Sequence, residues 1–417
     1  MNNIPQIRFP EFVDEKSWNE KSLEQISPII FDGTHQTPAY TTEGIPFFSV
    51  ENLISGNKNK FISLEDHRIA TNKNKPEKGD ILITRIGNIG FSKIIDWDYE
   101  FSIYVTLAVI KQSKEFNSYY LHSFFQSNYY QKEIRSKSLL SAAPCKINMN
   151  ELRTTLVLVP PSLQEQQKIA NCLSSLDQVI IGHEEKLKTL QKHKKGLMQN
   201  LFPQEGEKSP EYRFPEFVDD GDWQEMKLGS CLTRQPEYGI NAPAVPFSNE
   251  LPMYLRITDI SVDGQLLSNG RVSVDKPVTE NNYLSEGDIV LARTGASVGK
   301  SYKYKNIDGK LVFAGFLIRV KPNESKLNSE FLFQFLSTNQ YWKWVSFISA
   351  RSGQPGINGT EYSSMPIYLP PSIEEQQMVA SCLSSLDELL TKQTNRVAQL
   401  KLHKRGLMQG LFPKTEE

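Results

Sequence analysis

The segment TGASVGKS at 294 to 301 follows an apolar, strand-like IVLAR and places glycine turns before a lysine and a serine, an order that can cradle phosphate. A phosphate-binding loop needs glycine at its first position, where this chain has Thr294. The matching stretch of the first half, RIGNIGFSK, has no Gly-Lys-Ser at all. An ordinary turn is therefore expected there. The chain also lacks a methyltransferase-type N-P-P-[YF], a G-x-S-x-G elbow and an H-E-x-x-H zinc motif, so no catalytic centre is expected. The four cysteines (Cys145, Cys172, Cys231 and Cys382) form no CxxC pair and meet no histidine cluster, which points away from disulfides and zinc. What remains are hydrogen-bonding side chains on turns. Arg85 ends GDILITRIG (79 to 87) and Arg293 ends GDIVLARTG (287 to 295), each leaving a strand beside a glycine. Such an arginine suits a phosphate or a guanine edge, with Asn88, Lys93, Ser297 and Lys300 close in sequence. It suits equally well a structural bridge from its turn to an acidic neighbour, and both readings stand. RSGQPGIN at 351 to 358 is a glycine-proline turn presenting Arg351, Ser352, Gln354 and Asn358, types that match base edges. SAAPCKIN at 141 to 148 lacks those glycines, which weakens the same reading for Ser141, Lys146 and Asn148. GTHQTP at 33 to 38 adds Thr34, His35 and Gln36. A solvated loop is the alternative for all three segments.

The elements that would position these residues are written twice. IRFPEFVD at 7 to 14 returns as YRFPEFVD at 212 to 219, with Trp18 and Trp223 at the same offset of 205. VPPSLQEQQKIANCLSSLDQVI at 159 to 180 returns as LPPSIEEQQMVASCLSSLDELL at 369 to 390, and HKKGLMQNLFP returns as HKRGLMQGLFP at the same offset of 210. Residues 28 to 78 and 233 to 286 show almost no mutual resemblance. One part is held common and the other is free to differ, the pattern of a pseudo-dimer in one chain carrying two unlike modules.

Each common segment predicts a helix of about 40 residues, roughly 60 Å long at 1.5 Å per residue. Pro160 and Pro161 block helix before the first copy, Ser162 with Glu165 spells a capping box, and Phe202-Pro203 ends it. The second copy repeats this with Ser372, Glu375 and Pro413. Seam positions recur with a period of 3.5 at Leu173, Leu176, Ile180, His183, Leu187 and Leu190, and at Leu383, Leu386, Leu390, Gln393, Val397 and Leu400, mostly apolar, which is a coiled-coil seam. Gln166, Lys194, Gln376 and Lys404 fall on the same seam positions. Each helix is expected to pair with the other; the alternative is that each covers its own domain. His183 and Gln393 read as register-setting polar positions. Gly196 and Gly406 read as sites of close approach to another helix.

These residues together, PPSxxEQQxIAxxLSSLD followed by HKKGLMQxLFP, given twice and each time after a dissimilar segment of about 150 residues, resemble the specificity (S) subunit of type I restriction-modification systems. The resemblance covers the whole chain. It implies an α+β protein with two α/β target-recognition domains separated by two long antiparallel helices in an intramolecular coiled coil, with pseudo-two-fold symmetry. The expected bounds are 1–159 and 206–369 for the recognition domains and 160–205 and 370–417 for the helices. It implies double-stranded DNA as a partner, read as a bipartite target, with two methyltransferase subunits docked on the helices and restriction/translocase subunits beyond them. S-adenosylmethionine, ATP and Mg would belong to those subunits, with no cofactor bound by this chain. A pseudo-two-fold reader also fits the local two-fold axes of a duplex. The rival is a coiled-coil scaffold binding only protein partners, since the net charge of -1 gives no basic footprint. No apolar run approaches the roughly 18 residues of a membrane span and the start lacks a signal-like stretch, so a cytoplasmic location is expected.

Overall fold

In the computed structural model, residues 3 to 267, 270 to 350 and 353 to 414 are described. The chain forms two compact units, one made of Met1–Glu184 with Asn395–Glu417, the other of Glu185–Thr394. Among the described residues no helix is long and apolar enough to cross a membrane.

The first unit is built on a four-stranded antiparallel sheet in the order Ile30–Asp32, Leu107–Ile110, Ile81–Thr84, Ser92–Ile94. Its central strands, ILIT and LAVI, are buried throughout rather than alternating, because both faces are covered. Ile81, Ile83, Ala108 and Ile110 enter one core with the helices Ser118–Phe125 and Asn128–Ser136. Leu82, Leu107 and Val109 point the other way, into a second core with Phe48, Phe101 and Ile103. A smaller sheet in the order Tyr40–Thr41, Phe61–Ile62, Ile45–Phe48, Ser102–Ile103 belongs to that side, its last pair parallel. Asn19–Ser22 pairs antiparallel with Leu156–Val159 and leads the chain to the long helix.

The second unit repeats this topology. Its main sheet runs Glu237–Tyr238, Leu317–Val320, Ile289–Ala292, Ser301–Lys303, and its smaller one Ala244–Pro246, Val272–Val274, Met253–Leu255, Leu311–Phe313. Ile289, Leu291, Ile318 and Val320 face one core and Val290, Ala292 and Leu317 the other. The segments without sequence resemblance thus fold alike. Gly33 and Gly239 mark the equivalence: a Cβ on either would run into a neighbouring backbone carbonyl, of Ile103 or of Phe313.

The long helices span Leu163–Leu201 and Ile373–Leu411, 39 residues each. Within the first unit Asp177 pairs with Lys404 (2.7 Å) and Glu184 with Lys401 (2.6 Å), so the two helical stretches run antiparallel there. Within the second unit Lys194 pairs with Asp387 (2.6 Å), which is the Asp177–Lys404 pair moved by the repeat offset. The lysines at seam positions are therefore neutralised across the seam by the aspartates of the SLD motif. Leu173, Ile180, Leu383, Gln393, Val397 and Leu400 are buried and Leu176, His183, Leu187, Leu190, Leu386 and Leu390 half-buried.

The helices also cover their own domains, so pairing and covering coexist. Ile169, Ala170 and Leu173 join the first core, and Val379, Ala380 and Leu383 the second. Gln166 accepts from the Asn117 backbone N–H (2.8 Å) and Gln376 from that of Asn328 (2.9 Å), fastening each helix to the loop before a domain helix.

Two sequence expectations change. The capping box is not reciprocal: Ser372 Oγ accepts from the Glu375 N–H (3.2 Å) and Ser162 Oγ from that of Gln164 (3.1 Å), but the glutamates turn inward. Glu165 takes a two-pronged bond from Arg8 (both 2.8 Å) and one from Trp18 Nε1 (3.2 Å). Glu375 does the same with Arg213 (2.8 and 2.7 Å) and Trp223 Nε1 (3.1 Å). A buried carboxylate gains more from a charged fork than from one backbone N–H, and this explains the repeated RFPEF and tryptophan. Gly196 and Gly406 are not close-approach sites, since a Cβ at either would meet nothing within 4 Å. The close approach falls instead at Gly410, against Ile7.

Candidate DNA interface

In each domain, three segments far apart in sequence meet at one end of the main sheet, where its strands run out. In the first, the strand Ile81–Thr84 runs out into Arg85, and Gly87 takes a positive φ of 83°, open to glycine at no steric cost. This turn pairs with the 141 to 148 loop: Gly87 N–H donates to Cys145 O (2.8 Å), and Ile147 N–H to Arg85 O (2.9 Å). The GTHQTP loop joins through Asp32, whose Oδ2 accepts from Arg85 Nη1 (3.0 Å) and faces His35 Nε2 (3.0 Å).

The second domain repeats the arrangement. Gly295 (φ 72°) N–H donates to Pro355 O (3.0 Å), and Ile357 N–H to Arg293 O (2.9 Å). The missing glycines of SAAPCKIN therefore do not alter the backbone pairing. Tyr238 stands where the first domain has Asp32: Asp32 opposes Ala108, and Tyr238 opposes Ile318, in equivalent strand registers.

Arg85 is 7 % exposed, and besides Asp32 it donates to the carbonyls of Val105 (2.9 Å) and Ile147 (3.3 Å). Burial pulls its pKa down while Asp32 pushes it up. Of its two sequence readings, the bridge to an acidic neighbour is the one seen. Arg293 is partly exposed, with its guanidinium 4.8 Å from the Tyr238 ring centre.

His35, Gln36, Asn88, Ser141, Lys146, Asn148, Gln354 and Asn358 are exposed, while Thr34 and Ser297 are half-buried. Thr34 Oγ1 donates to Gln36 O (3.0 Å), shaping its own loop. Asn358 caps the helix Gly359–Ser363 by accepting from Glu361 N–H (2.9 Å); Asn148 precedes Met149–Arg153 without a side-chain cap. Gln354 lies against Gly295, beside the arginine turn. Two candidates point elsewhere. Lys300 donates to Ile260 O (2.9 Å), and Lys93 sits over the Trp97 ring (5.6 Å) on the far side of its strand from the turn. Arg351 and Ser352 lie outside the described residues. Among the described residues, no group of three or more His, Cys, Asp or Glu is placed to hold a metal ion.

Sequence reasoning missed Asp32 and Tyr238. Their signal was the glycine that follows each, the one fixed point in segments otherwise unlike.

The family model for the type I restriction modification DNA specificity domain matches residues 15–192 and again 222–401. The putative type I restriction enzyme MjaX specificity subunit of Methanocaldococcus jannaschii is 26% identical over 415 residues, covering 95% of this chain and 93% of its own length. The MjaVIII specificity subunit of the same organism is 25% identical over 380 residues, covering 88% and 85%. The crystal structure of a type I restriction-modification S subunit from M. genitalium matches in fold with a TM-score of 0.64 at 16% identity, over 99% of this chain and all of that one. The matches favour DNA reading over a scaffold that binds proteins alone. With both copies of the domain matched and both built alike, the chain belongs to the type I restriction-modification DNA specificity family: it is a non-catalytic specificity subunit with two recognition domains, whose partners are DNA and the other subunits of such a system.

Proposed function

We propose that each recognition domain reads one half of a bipartite DNA target through the end of its main sheet where its three segments meet. The observation that supports this most is the repeated backbone framework of the Arg85 and Arg293 turns, on which the two domains display different side chains. A common framework with unlike displays is what two unlike half-sites require. In the first domain Thr34, His35, Gln36, Asn88, Ser141, Lys146 and Asn148 supply the display, and in the second Ser297, Gln354 and Asn358, with Arg351 and Ser352 beside them in sequence. Lys93 and Lys300 are not part of it. The helices, repeated almost unchanged, dock two methyltransferase subunits, one per repeat, and restriction/translocase subunits complete the assembly. S-adenosylmethionine, ATP and Mg are used by those subunits, and the assembly works in the cytoplasm.

Replacing residues 24 to 150 with the matching segment of a relative is expected to change one half of the methylated sequence and leave the other. Sequencing methylated adenines reads the result, and a swap that altered both halves or neither would defeat the two-reader proposal. The purified chain alone is expected to hydrolyse no ATP. Hydrolysis abolished by Lys300→Ala would show that the 294 to 301 turn had been misjudged.

A further inference from the structure

The two domains place one shared arginine in unlike surroundings. The backbones of Arg85 and Arg293 are held alike: their N–H groups donate to Thr106 O and Phe316 O (3.0 Å each), and their carbonyls accept from Ile147 and Ile357 (2.9 Å each). All three anchors of the Arg85 side chain change in the second domain. Asp32 is replaced by Tyr238, which offers a ring and no carboxylate. The bond to Val105 O (2.9 Å) becomes a bond to Gly315 O at 3.5 Å. The bond from Nε to Ile147 O has no counterpart, and Arg293 Nε is buried with no acceptor among the described residues.

We infer that Arg293 contacts the DNA in the second recognition domain, whereas Arg85 is a structural cation in the first. A guanidinium carries five N–H donors in a fork, and a desolvated donor without an acceptor is unfavourable until something supplies one. The Tyr238 ring holds the cation without consuming its donors, and Tyr238 is itself fixed by accepting from the Gly359 N–H (3.0 Å). The ring on which the guanidinium lies is itself exposed, Tyr238 at 49%, where the first domain has Asp32. A partly exposed arginine held on an aromatic ring is matched to a planar pair of acceptors, which DNA offers as phosphate oxygens or as the O6/N7 edge of guanine.

This inference rests on the two-reader proposal, and the experiment separates them. The chain is assembled with its methyltransferase subunits, and a duplex library randomised over both half-sites selects the wild-type target. If the wild-type assembly selects no bipartite site, the two-reader proposal fails. If it does, Arg293→Ala is expected to weaken binding to the selected duplex about tenfold or more, the size of one good arginine contact. A guanine contact would relax the preference at one position of one half-site. A phosphate contact would keep the preference and lower the salt slope by about one. Arg85→Ala is expected to lower the unfolding temperature of the first domain. Arg293→Gln, which keeps a planar group on Tyr238, carries the same expectation as Arg293→Ala should the alanine variant not fold. A folded Arg293 variant with unchanged affinity, preference and salt slope overturns the inference, as would a folded Arg85→Ala that weakens DNA binding as much as Arg293→Ala.

Discussion

Each domain buries a carboxylate together with its charged partner. Glu165 is 1% exposed and meets Arg8 and Trp18, and Glu375, also 1% exposed, meets Arg213 and Trp223. Removing the carboxylate leaves a guanidinium and an indole N–H facing a cavity. Glu165→Ala and Glu375→Ala are therefore each expected to cost about 3–5 kcal/mol, the usual penalty for breaking a buried pair from one side. Urea unfolding followed by hydrogen exchange in each domain would measure it; a cost below about 1 kcal/mol would mean the pair is solvated in solution. His122 is the other group with a measurable signature. It touches Ser92 Oγ (2.9 Å) and accepts from Gln126 Nε2 (2.8 Å), and burial, with Lys404 nearby, pushes its pKa down to about 4. The unfolded chain, with an ordinary histidine value near 6.5, then binds the proton that the folded chain refuses. This histidine's contribution is complete above pH 6.5 and is lost as pH falls towards 4. His122→Gln should flatten the pH dependence of first-domain stability across that window, and an unaltered slope would count against the buried neutral imidazole.

At the scale of elements, each long helix divides its apolar positions between a domain and the other helix. Gly196 and Gly406 sit inside these helices facing open space, so they carry the entropic disadvantage of glycine with no packing to offset it. Gly196→Ala and Gly406→Ala should each raise stability by up to about 1 kcal/mol. Thermal unfolding of the isolated chain tests this, and destabilisation would reveal a contact absent from the structure. The Asp177–Lys404 and Lys194–Asp387 pairs are half-buried across the seam, where the antiparallel run of the helices brings them together. Reversing both members of one pair should recover most of what either single reversal loses, as read by a double-mutant cycle.

For the whole molecule, the order of the chain and the order of the units differ, because the last residues belong to the first unit. Leu411 and Phe412 enter the core around Trp18, Tyr120 and Phe124, while Leu201 and Phe202 enter the one around Trp223 and Phe331. Phe412→Ala should therefore destabilise the first domain, 200 and more residues upstream in the chain, by about 3–5 kcal/mol, and Phe202→Ala the second. Hydrogen exchange resolved by domain checks this, and loss of protection in the second domain for Phe412→Ala, or in the first for Phe202→Ala, would contradict the packing. The sequence alone determined the duplication, the presence of both long helices and their seam, because these are written in local periodicity and in repeats that need no knowledge of neighbours. It also placed the three loops that could display polar side chains. Tertiary structure decided what the local signals left open: that Glu165 serves Arg8 rather than the helix N-terminus, that Gly196 and Gly406 face open space, and that Arg85 and Arg293, alike in local sequence pattern, meet a carboxylate in one domain and an aromatic ring in the other. Each of those outcomes depends on a partner tens to hundreds of residues away, and the identity of that partner is fixed by strand register and core packing, which no window of sequence contains.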